Sequence, residues 1–412
     1  MNLRILFVTN DEYPNFGTTS NLIKKLVFDG GLINNNKIGV LSLCNEYSKK
    51  TFEIIDGVSI YRAISYGNYY GQTFRDEFKK EKVIDKPFIF FEKTFSYLYE
   101  ISGNCARFFI PNNVYRLKQA LEHIVNEKYD IVVPISGKYD AVVAVLLSNI
   151  SAKKVFWQVD PCSTNLTRLK REKKLSEKIE KSIIEKFDAV LTDEIYYNEL
   201  INIYGRSISN KVHIFNMPLI DAFNKTNNKI IKNEEEINCV FTGLIYLGIR
   251  DPGYTIKLFN ELGKDGKIKL HLYGPERKDV PYECSDAIVF HNKVNMEEAK
   301  KIIQNADFLV NIGNKMSNQI PSKLYEYVST GLPIINVYKN ENCPSIGLLK
   351  DYHNSINIFE DDSIYDNQIK ELFVFINKHL GIRMGLNEFL DSYKDYTPTH
   401  CVARFYSIIS LL

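Results

Sequence analysis

Short apolar runs alternate with longer amphipathic stretches along the whole chain. Runs rich in Val, Ile, Leu and Phe predict strands at 3–9, 37–44, 130–136, 154–160, 188–193 and 212–217, and again at 237–243, 268–274, 287–294, 307–313, 332–338 and 355–359. The helices predicted between them include 19–34, 112–127, 139–149, 167–187, 252–263, 296–305, 321–331 and 364–380. Apolar strands separated by helices are typical of parallel sheets covered on both faces. The pattern therefore predicts an α/β protein.

The alternation is interrupted once, by a polar stretch at 223–236 that we interpret as an interdomain linker. This divides the chain into a doubly wound, Rossmann-like domain at 1–222 and a second one at 237–395. The segment 396–412 is expected to form a helix that packs back on the first domain. Ligands bind beyond the carboxyl ends of strands in open α/β sheets. Two such domains are therefore expected to face each other across a ligand-binding cleft.

The amino-acid composition limits the functional classes to which the protein could belong. The 412 residues include 52 Lys and Arg against 50 Asp and Glu, a balance that argues against a nucleic-acid partner. The 7 cysteines are scattered without a C-x-x-C pair, and the first residues do not resemble a signal peptide, so a cytoplasmic location is expected. The 26 Tyr and 25 Phe contrast with a single Trp. Many of these aromatic residues fall in 66–110, which does not follow the strand–helix alternation and is predicted to be an insertion of the first domain.

Two cations stand at predicted helix starts that directly follow strands of the second domain. Arg250 precedes a helix with Asp251 as expected N-cap, and Lys323 lies in the first turn of a helix expected to begin at Pro321. Because the helix dipole disfavours a cation at this end, a bound anion would explain both positions. Together they are predicted to clamp a diphosphate, with Glu326 accepting hydroxyl hydrogen bonds from a ribose. The alternative is a surface arginine and a Lys323–Glu326 ion pair.

Several motifs of the second domain resemble those of a known family. The run at 321–335 reads PSKLYEYVSTGLPII, preceded by VFTG at 240–243 and GIRDP at 248–252. It resembles the donor-binding motif of bacterial glycosyltransferases of the GT-B fold, most of all the large retaining family 4. The segments 272–274 and 289–294 are similar to the strand pair that lines the base pocket of that family. The resemblance covers about 100 residues of the second domain and is at the level of the fold in the first.

The resemblance implies roles residue by residue. Arg250 and Lys323 would stabilise the leaving diphosphate, and the rest of the donor site would be formed by Gly243, Tyr273, Gly274, Asn292, Val294, Asn318, Gln319, Ser322 and Glu326. Gly17, Thr18 and Asp160 would lie on the acceptor side, although an N-cap or turn role before Pro161 remains open for Asp160. The chain departs from the family at two positions. Asn318 stands where the first glutamate of the E-x7-E motif is expected, and Leu244 stands where the family often has a second phosphate-binding arginine.

The implied reaction is transfer of a sugar from a nucleotide diphosphate, with a UDP sugar as first expectation, to a hydroxyl of a growing cell-surface or exopolysaccharide glycan. Retention of configuration is implied. No metal or other cofactor is expected, because no two aspartates lie two positions apart to bridge a divalent ion to a diphosphate. The expected partners are the donor and a glycan or lipid-linked acceptor.

Other interpretations stay open. The basic helix at 168–187 is either a solvated surface or a peripheral contact with the inner face of the cell membrane, and a homo-oligomer is a further alternative. The departures at Asn318 and Leu244 also fit a non-catalytic subunit that stabilises an active partner, and a nucleotide-sugar epimerase is a third hypothesis. A dinucleotide-dependent dehydrogenase is disfavoured, because no G-x-G-x-x-G follows a strand.

Overall fold

The computed structural model describes residues 2–14, 17–44, 49–64, 112–124, 129–136, 139–159, 170–221, 236–245, 247, 250–274, 276–314, 320–341 and 343–412. The chain divides into two compact units, here called unit 1 (Met1–Asn216 with Cys401–Leu412) and unit 2 (Met217–His400). Most of the predicted linker, the segment 66–110 and the residues Asp160, Asn318 and Gln319 lie outside the described residues.

Unit 1 is built on a sheet with the strand order β3-β4-β2-β1-β5-β6-β7-β8. The strands are β1 Arg4–Thr9, β2 Lys37–Cys44, β3 Phe52–Ile55, β4 Val58–Ile64, β5 Ile131–Ser136, β6 Lys153–Gln158, β7 Ala189–Thr192 and β8 Val212–Ile214. All neighbours pair in parallel except β3 with β4. After their first residues β1 and β2 are buried throughout, as expected for parallel strands covered on both faces.

The helices of unit 1 described between these strands are α1 Thr18–Lys24, which continues as the π-helical turn Lys25–Asp29, α2 Asn112–Ile124, α3 Asp140–Leu147, α4 Lys170–Lys186 and α5 Glu194–Tyr204. Helix α5 was not among the helices predicted individually. The β3–β4 hairpin was not predicted, although its turn is a strong local signal. Asp56 and Gly57 both have positive φ, 50° and 80°, as in the two-residue turn that Asp-Gly favours between antiparallel strands.

Unit 2 is built on a second sheet, entirely parallel, with the order β11-β10-β9-β12-β13-β14. Its strands are β9 Ile237–Thr242, β10 Ile268–Tyr273, β11 Ile288–His291, β12 Phe308–Ile312, β13 Ile334–Tyr338 and β14 Ser355–Phe359. Its helices in the described part are α6 Gly253–Leu262, α7 Met296–Asn305, α8 Ser322–Val328, α9 Pro344–Leu349, α10 Tyr365–His379 and α11 Leu386–Tyr393. The chain runs outward from β9 to β11 and then crosses to β12 on the other side of β9, so the topological switch point lies between β9 and β12.

The last helix, α12 Pro398–Ile409, belongs to unit 1 from Cys401 onward. The Arg404 Nε donates to the carbonyl of Ile214, the last residue of β8, at 3.2 Å, and the rings of Phe405 and Phe215 lie 6.3 Å apart. The helix therefore covers part of unit 1. The fold class expected from the sequence, two doubly wound α/β domains with a returning C-terminal helix, is confirmed.

A ladder of three asparagine side chains crosses β12, β13 and β14. The Nδ2 of Asn311 donates to Oδ1 of Asn336, and the Nδ2 of Asn336 donates to Oδ1 of Asn357, both at 2.7 Å. The three residues are register partners, and the first two are buried. Because a slip of one residue would move the amides to opposite faces of the sheet, the ladder fixes the register of these strands.

Replacing the central member of the ladder should destabilise unit 2. Asn336→Leu removes two hydrogen bonds and leaves the buried amide of Asn311 unpaired, at an expected cost of roughly 2–4 kcal/mol. Urea unfolding followed by far-ultraviolet circular dichroism would measure it. Asn357→Ala, at the exposed end of the ladder, is the control with a smaller expected loss. Equal stability of Asn336→Leu and the wild type would contradict the register role.

Candidate functional site

The strands at the switch point of unit 2 separate before they end. The β9–β12 pairing stops at Val240 and Leu309, whereas β9 and β10 stay paired as far as Thr242 and Tyr273. The backbone N–H of Thr242 donates instead to the hydroxyl of Tyr327 on α8, at 2.8 Å. Separated strand ends open the crevice in which α/β proteins bind ligands.

Arg250 bridges this crevice. Its Nε and Nη2 donate to Oδ1 of Asn314, just beyond β12, at 3.2 and 3.0 Å, and its Nη1 donates to the carbonyl of Leu244, beyond β9, at 3.4 Å. The predicted cation therefore lies at the switch point itself. Asn314 was not predicted, because its link to Arg250 spans 64 positions of the sequence.

The start of α6 differs in detail from the prediction. The helix begins at Gly253, and Pro252 is its cap residue. The Asp251 carboxylate accepts from the N–H of Gly253 at 2.9 Å and from the hydroxyl of Tyr282 at 2.7 Å, and this hydrogen bond raises the pKa of Tyr282 to about 12. Because Asp251 already occupies the first amide of the helix, an anion bound here would depend chiefly on the guanidinium of Arg250.

Helix α8 carries the second predicted cation. Lys323 and Glu326 form an ion pair at 2.7 Å, with 28% and 32% of their side chains exposed. This ion pair is the alternative to a ligand-binding role that the sequence also predicts. The buried Tyr327 ties the same helix to β9, and its burial raises its pKa to about 12. Partial exposure leaves both members of the ion pair accessible to a ligand, with Ser322 at the first position of the helix.

Of the remaining predicted donor residues, Gly243 directly follows β9, and Tyr273, Gly274, Asn292 and Val294 lie on the other side of β9. Gly274 has φ of 120°, and a Cβ there would lie 2.3 Å from the carbonyl oxygen of Gly243, so only glycine fits between these strand ends. The ring of Tyr273 stacks on that of His291 with centroids 4.1 Å apart. Strand β11 ends at His291 rather than at the predicted 294, which places Asn292 and Val294 in the following loop. His291 lies within the segment 289–294 that the resemblance assigns to the base pocket, although it was not among the individually predicted donor residues.

The carboxyl edge of the sheet in unit 1 is also polar. The N–H of Asn21 donates to the carbonyl of Gly17 at 3.0 Å, so Gly17 and Thr18 form the start of α1. At the switch point between β1 and β5, the Nδ2 of Asn10 donates to Oδ2 of Asp140 at 2.9 Å. The structure thus places Gly17 and Thr18 at the edge where the sequence predicts the acceptor side.

Asp193 follows β7 at this edge and was not predicted. Its Oδ1 accepts from the N–H of Ile195 at 3.0 Å, while its Oδ2 is buried without a hydrogen-bond partner. Burial raises its pKa from 3.8 to about 6; the neighbouring Glu194 adds to this rise and the hydrogen bond from Ile195 opposes it. A buried carboxylate of this kind lowers the stability of the folded chain when it is ionised.

Comparison with known proteins was made by family model, by sequence and by structure. No family model matches the chain. No curated protein matches it by sequence. Solved structures do resemble it along its whole length. Sucrose-phosphate synthase from Thermosynechococcus elongatus is 11% identical with a TM-score of 0.65, the two chains being covered to 100% and 99%.

Two further structures are similar. HepE from Anabaena, in complex with UDP and glucose, is 9% identical with a TM-score of 0.60 and full coverage of both chains. A Listeria monocytogenes protein named for UDP-N-acetylglucosamine 2-epimerase activity is 11% identical with a TM-score of 0.57, covering 99% of this chain and 96% of its own. At these identities the likeness establishes the fold, and the chain has the GT-B fold expected from the sequence.

Replacing Asp193 by a neutral residue should stabilise unit 1 at pH values above the pKa of Asp193. The folded chain holds this proton to about pH 6, whereas the unfolded chain releases it near 3.8, so raising the pH through this window lowers stability. Asn caps helices as well as Asp. Asp193→Asn is therefore expected to gain roughly 1–3 kcal/mol above pH 7, with a smaller gain near pH 4. Urea unfolding followed by the fluorescence of Trp157 would measure the gain. A gain independent of pH would contradict the assignment.

Proposed function

We propose that the chain is a glycosyltransferase that transfers a sugar from a nucleotide diphosphate, most simply a UDP sugar, to an acceptor hydroxyl. The observation that carries the proposal is the Arg250–Asn314 bridge across the switch point of unit 2. A guanidinium provides paired N–H donors for phosphate oxygens. The shared fold supports the donor class, because HepE is in complex with UDP and glucose and the Listeria protein is named for a UDP sugar.

The chemistry follows from the charge that develops during transfer. When the bond from the sugar to the diphosphate breaks, negative charge accumulates on the diphosphate oxygens. Arg250 would stabilise this charge from the position in which Asn314 and Leu244 hold it, so little reorganisation is needed. Lys323 would add a second positive charge. Lys323 reaches the phosphates by leaving or sharing Glu326, which then accepts hydrogen bonds from the ribose hydroxyls. No metal is required in this scheme, and by the family resemblance the sugar retains its configuration.

The acceptor is proposed to be a hydroxyl of a cell-surface or exopolysaccharide glycan, free or lipid-linked. Thr18 and Gly17, with Asp160 as a further proposed member, would form the acceptor side of unit 1. Among the described residues, no helix has both the length and the apolar character needed to cross a bilayer. A peripheral contact with the inner face of the membrane, through the basic residues of the predicted helix 168–187, is a separate part of the proposal.

An epimerase is the second candidate, favoured by the name of the Listeria neighbour. Both candidates require a UDP sugar, so donor binding alone does not separate them. Incubation with UDP sugars and mass analysis of the products does: transfer or hydrolysis releases UDP, whereas epimerisation leaves the nucleotide sugar intact. A protein that binds UDP but converts no donor would instead be the non-catalytic subunit.

Loss of the bridging guanidinium should weaken nucleotide binding. Arg250→Ala removes hydrogen bonds to charged oxygens, and UDP affinity measured by calorimetry is expected to fall about 10- to 100-fold. The matched control is Arg383→Ala, since Arg383 is exposed in the same unit and donates to the carbonyl of Gln304. Wild-type affinity in Arg250→Ala would remove the bridge from the site. Lys323→Ala should lower turnover in an assay with a converted donor.

Turnover should not depend on a divalent ion. Because two cationic side chains and no paired aspartates are available for the diphosphate, UDP release in excess EDTA is expected to match that of the untreated protein. Added magnesium or manganese should not raise the rate. Abolition by EDTA and rescue by one metal would contradict the metal-independent scheme.

A further inference from the structure

An open cavity of about 490 Å³ lies at the amino edge of the sheet in unit 1. It is lined by Asn2, Ile33, Asn34, Asn35 and Asn36. Asn2 precedes β1, and the other four residues belong to the 3-10 turn Leu32–Asn35 or directly follow it, just before β2. Because β1 and β2 are parallel neighbours, both segments meet at the same edge of the sheet. Four amide side chains thus converge on one cavity.

Asn36 is the anchored member of this set. Its side chain is buried, and its Oδ1 accepts from the N–H of Leu3 at 3.1 Å. Its Nδ2 donates to the carbonyl of Leu32 at 2.7 Å and to the hydroxyl of Tyr406 on α12. These bonds join the start of β1, the turn and the last helix. The wall of the cavity is therefore held in place by the protein itself.

Gly31 leaves the room that the side chain of Asn34 occupies. The glycine has φ of 74°, a backbone conformation that other residues adopt only with strain. A Cβ at this position would lie 2.8 Å from Nδ2 of Asn34. A larger residue at 31 would therefore displace this amide from its place beside the cavity.

The other three amides are available to a ligand. Asn2, Asn34 and Asn35 are exposed, and in the described part of the chain their side chains form no hydrogen bonds. Each amide offers two N–H donors and one carbonyl acceptor. Within the described residues no ionisable side chain lines the cavity, and Ile33 is its apolar member. The cavity therefore presents donors and acceptors together, without a charge.

This lining fits one class of ligand better than others. A charged ligand would find no opposite charge, and an apolar ligand would leave amides unpaired. A peptide backbone offers one donor and one acceptor per residue. A sugar ring places several neighbouring hydroxyls, each both donor and acceptor, beside its apolar C–H groups. Adjacent amides around Ile33 match that arrangement most closely.

We propose that this cavity binds a neutral saccharide unit of a glycan. Strand β1 has 6 residues, so at about 3.3 Å per residue the cavity lies roughly 20 Å from the carboxyl edge, where Gly17 and Thr18 begin α1. A sugar bound here is therefore not the one that would react at that edge. The inference goes beyond the proposed function and does not require the protein to transfer a sugar.

The test titrates the full chain by calorimetry with maltohexaose, cellohexaose and chitohexaose, and with tetraglycine as a peptide probe. The wild type is expected to bind at least one oligosaccharide and not tetraglycine. Replacing two amides together, Asn34→Ala with Asn35→Ala, should lower that affinity about 5- to 100-fold and leave UDP affinity unchanged. Asn202→Ala is the control, because Asn202 is an exposed asparagine of α5 that does not line the cavity.

Four outcomes would overturn the inference: no oligosaccharide binds, the double variant keeps its affinity, Asn202→Ala loses as much, or tetraglycine alone binds. None of them concerns UDP, so the glycosyltransferase proposal is tested separately by Arg250→Ala. If the wild type binds an oligosaccharide through these amides but does not bind UDP, the inference stands and the donor proposal fails. If the double variant does not fold, Asn2→Ala, outside the turn, decides the matter by the same titration.

Discussion

The separation of β9 from β12 is the constraint on which the site of unit 2 depends. Their ladder stops at Val240 and Leu309, so the carboxyl ends of two neighbouring parallel strands carry backbone groups without ladder partners. Buried backbone groups of this kind must find other partners. Tyr327 supplies one by accepting from Thr242, and Arg250 joins the two strand ends through Asn314 and Leu244. The side chains that form hydrogen bonds at the separated strand ends are thus the ones that surround the crevice.

Much of the fold could be predicted because buried parallel strands appear in the sequence as continuous apolar runs. Continuous apolar runs identified strands such as β1, β2 and β13, whereas the chain divides at Asn216 and Met217, before the polar stretch that was predicted to be the linker. The hairpin of β3 and β4 was not predicted because β3 has only 4 residues, which alternate between exposed and partly buried positions, so apolar content alone did not reveal it. The Asp56–Gly57 turn was the available evidence, and it depends on backbone conformation rather than hydrophobicity.

The site could be predicted only where a role follows from position in the chain. Arg250 and Lys323 stand beside helix starts, which is visible in the sequence. The Arg250–Asn314 contact and the stacking of Tyr273 on His291 depend on which strands become neighbours and in what register, and a one-residue shift would separate them. Lys323 and Glu326 are three positions apart on one helix, so their ion pair can be predicted from the sequence alone. The sequence therefore predicted both the ion pair and a binding role as alternatives.

The two switch points share a geometry and differ in charge. In unit 2 the crevice between β9 and β12 is bridged by a guanidinium and an amide. In unit 1 the corresponding position between β1 and β5 is bridged by the amide of Asn10 and the carboxylate of Asp140, with Asp11 next along the chain. A carboxylate repels phosphate and accepts hydrogen bonds from hydroxyl groups. Under the proposed function, these opposite charges would suit an anionic nucleotide in unit 2 and a hydroxyl-bearing acceptor in unit 1, which is the division of roles that sugar transfer between a nucleotide and an alcohol requires.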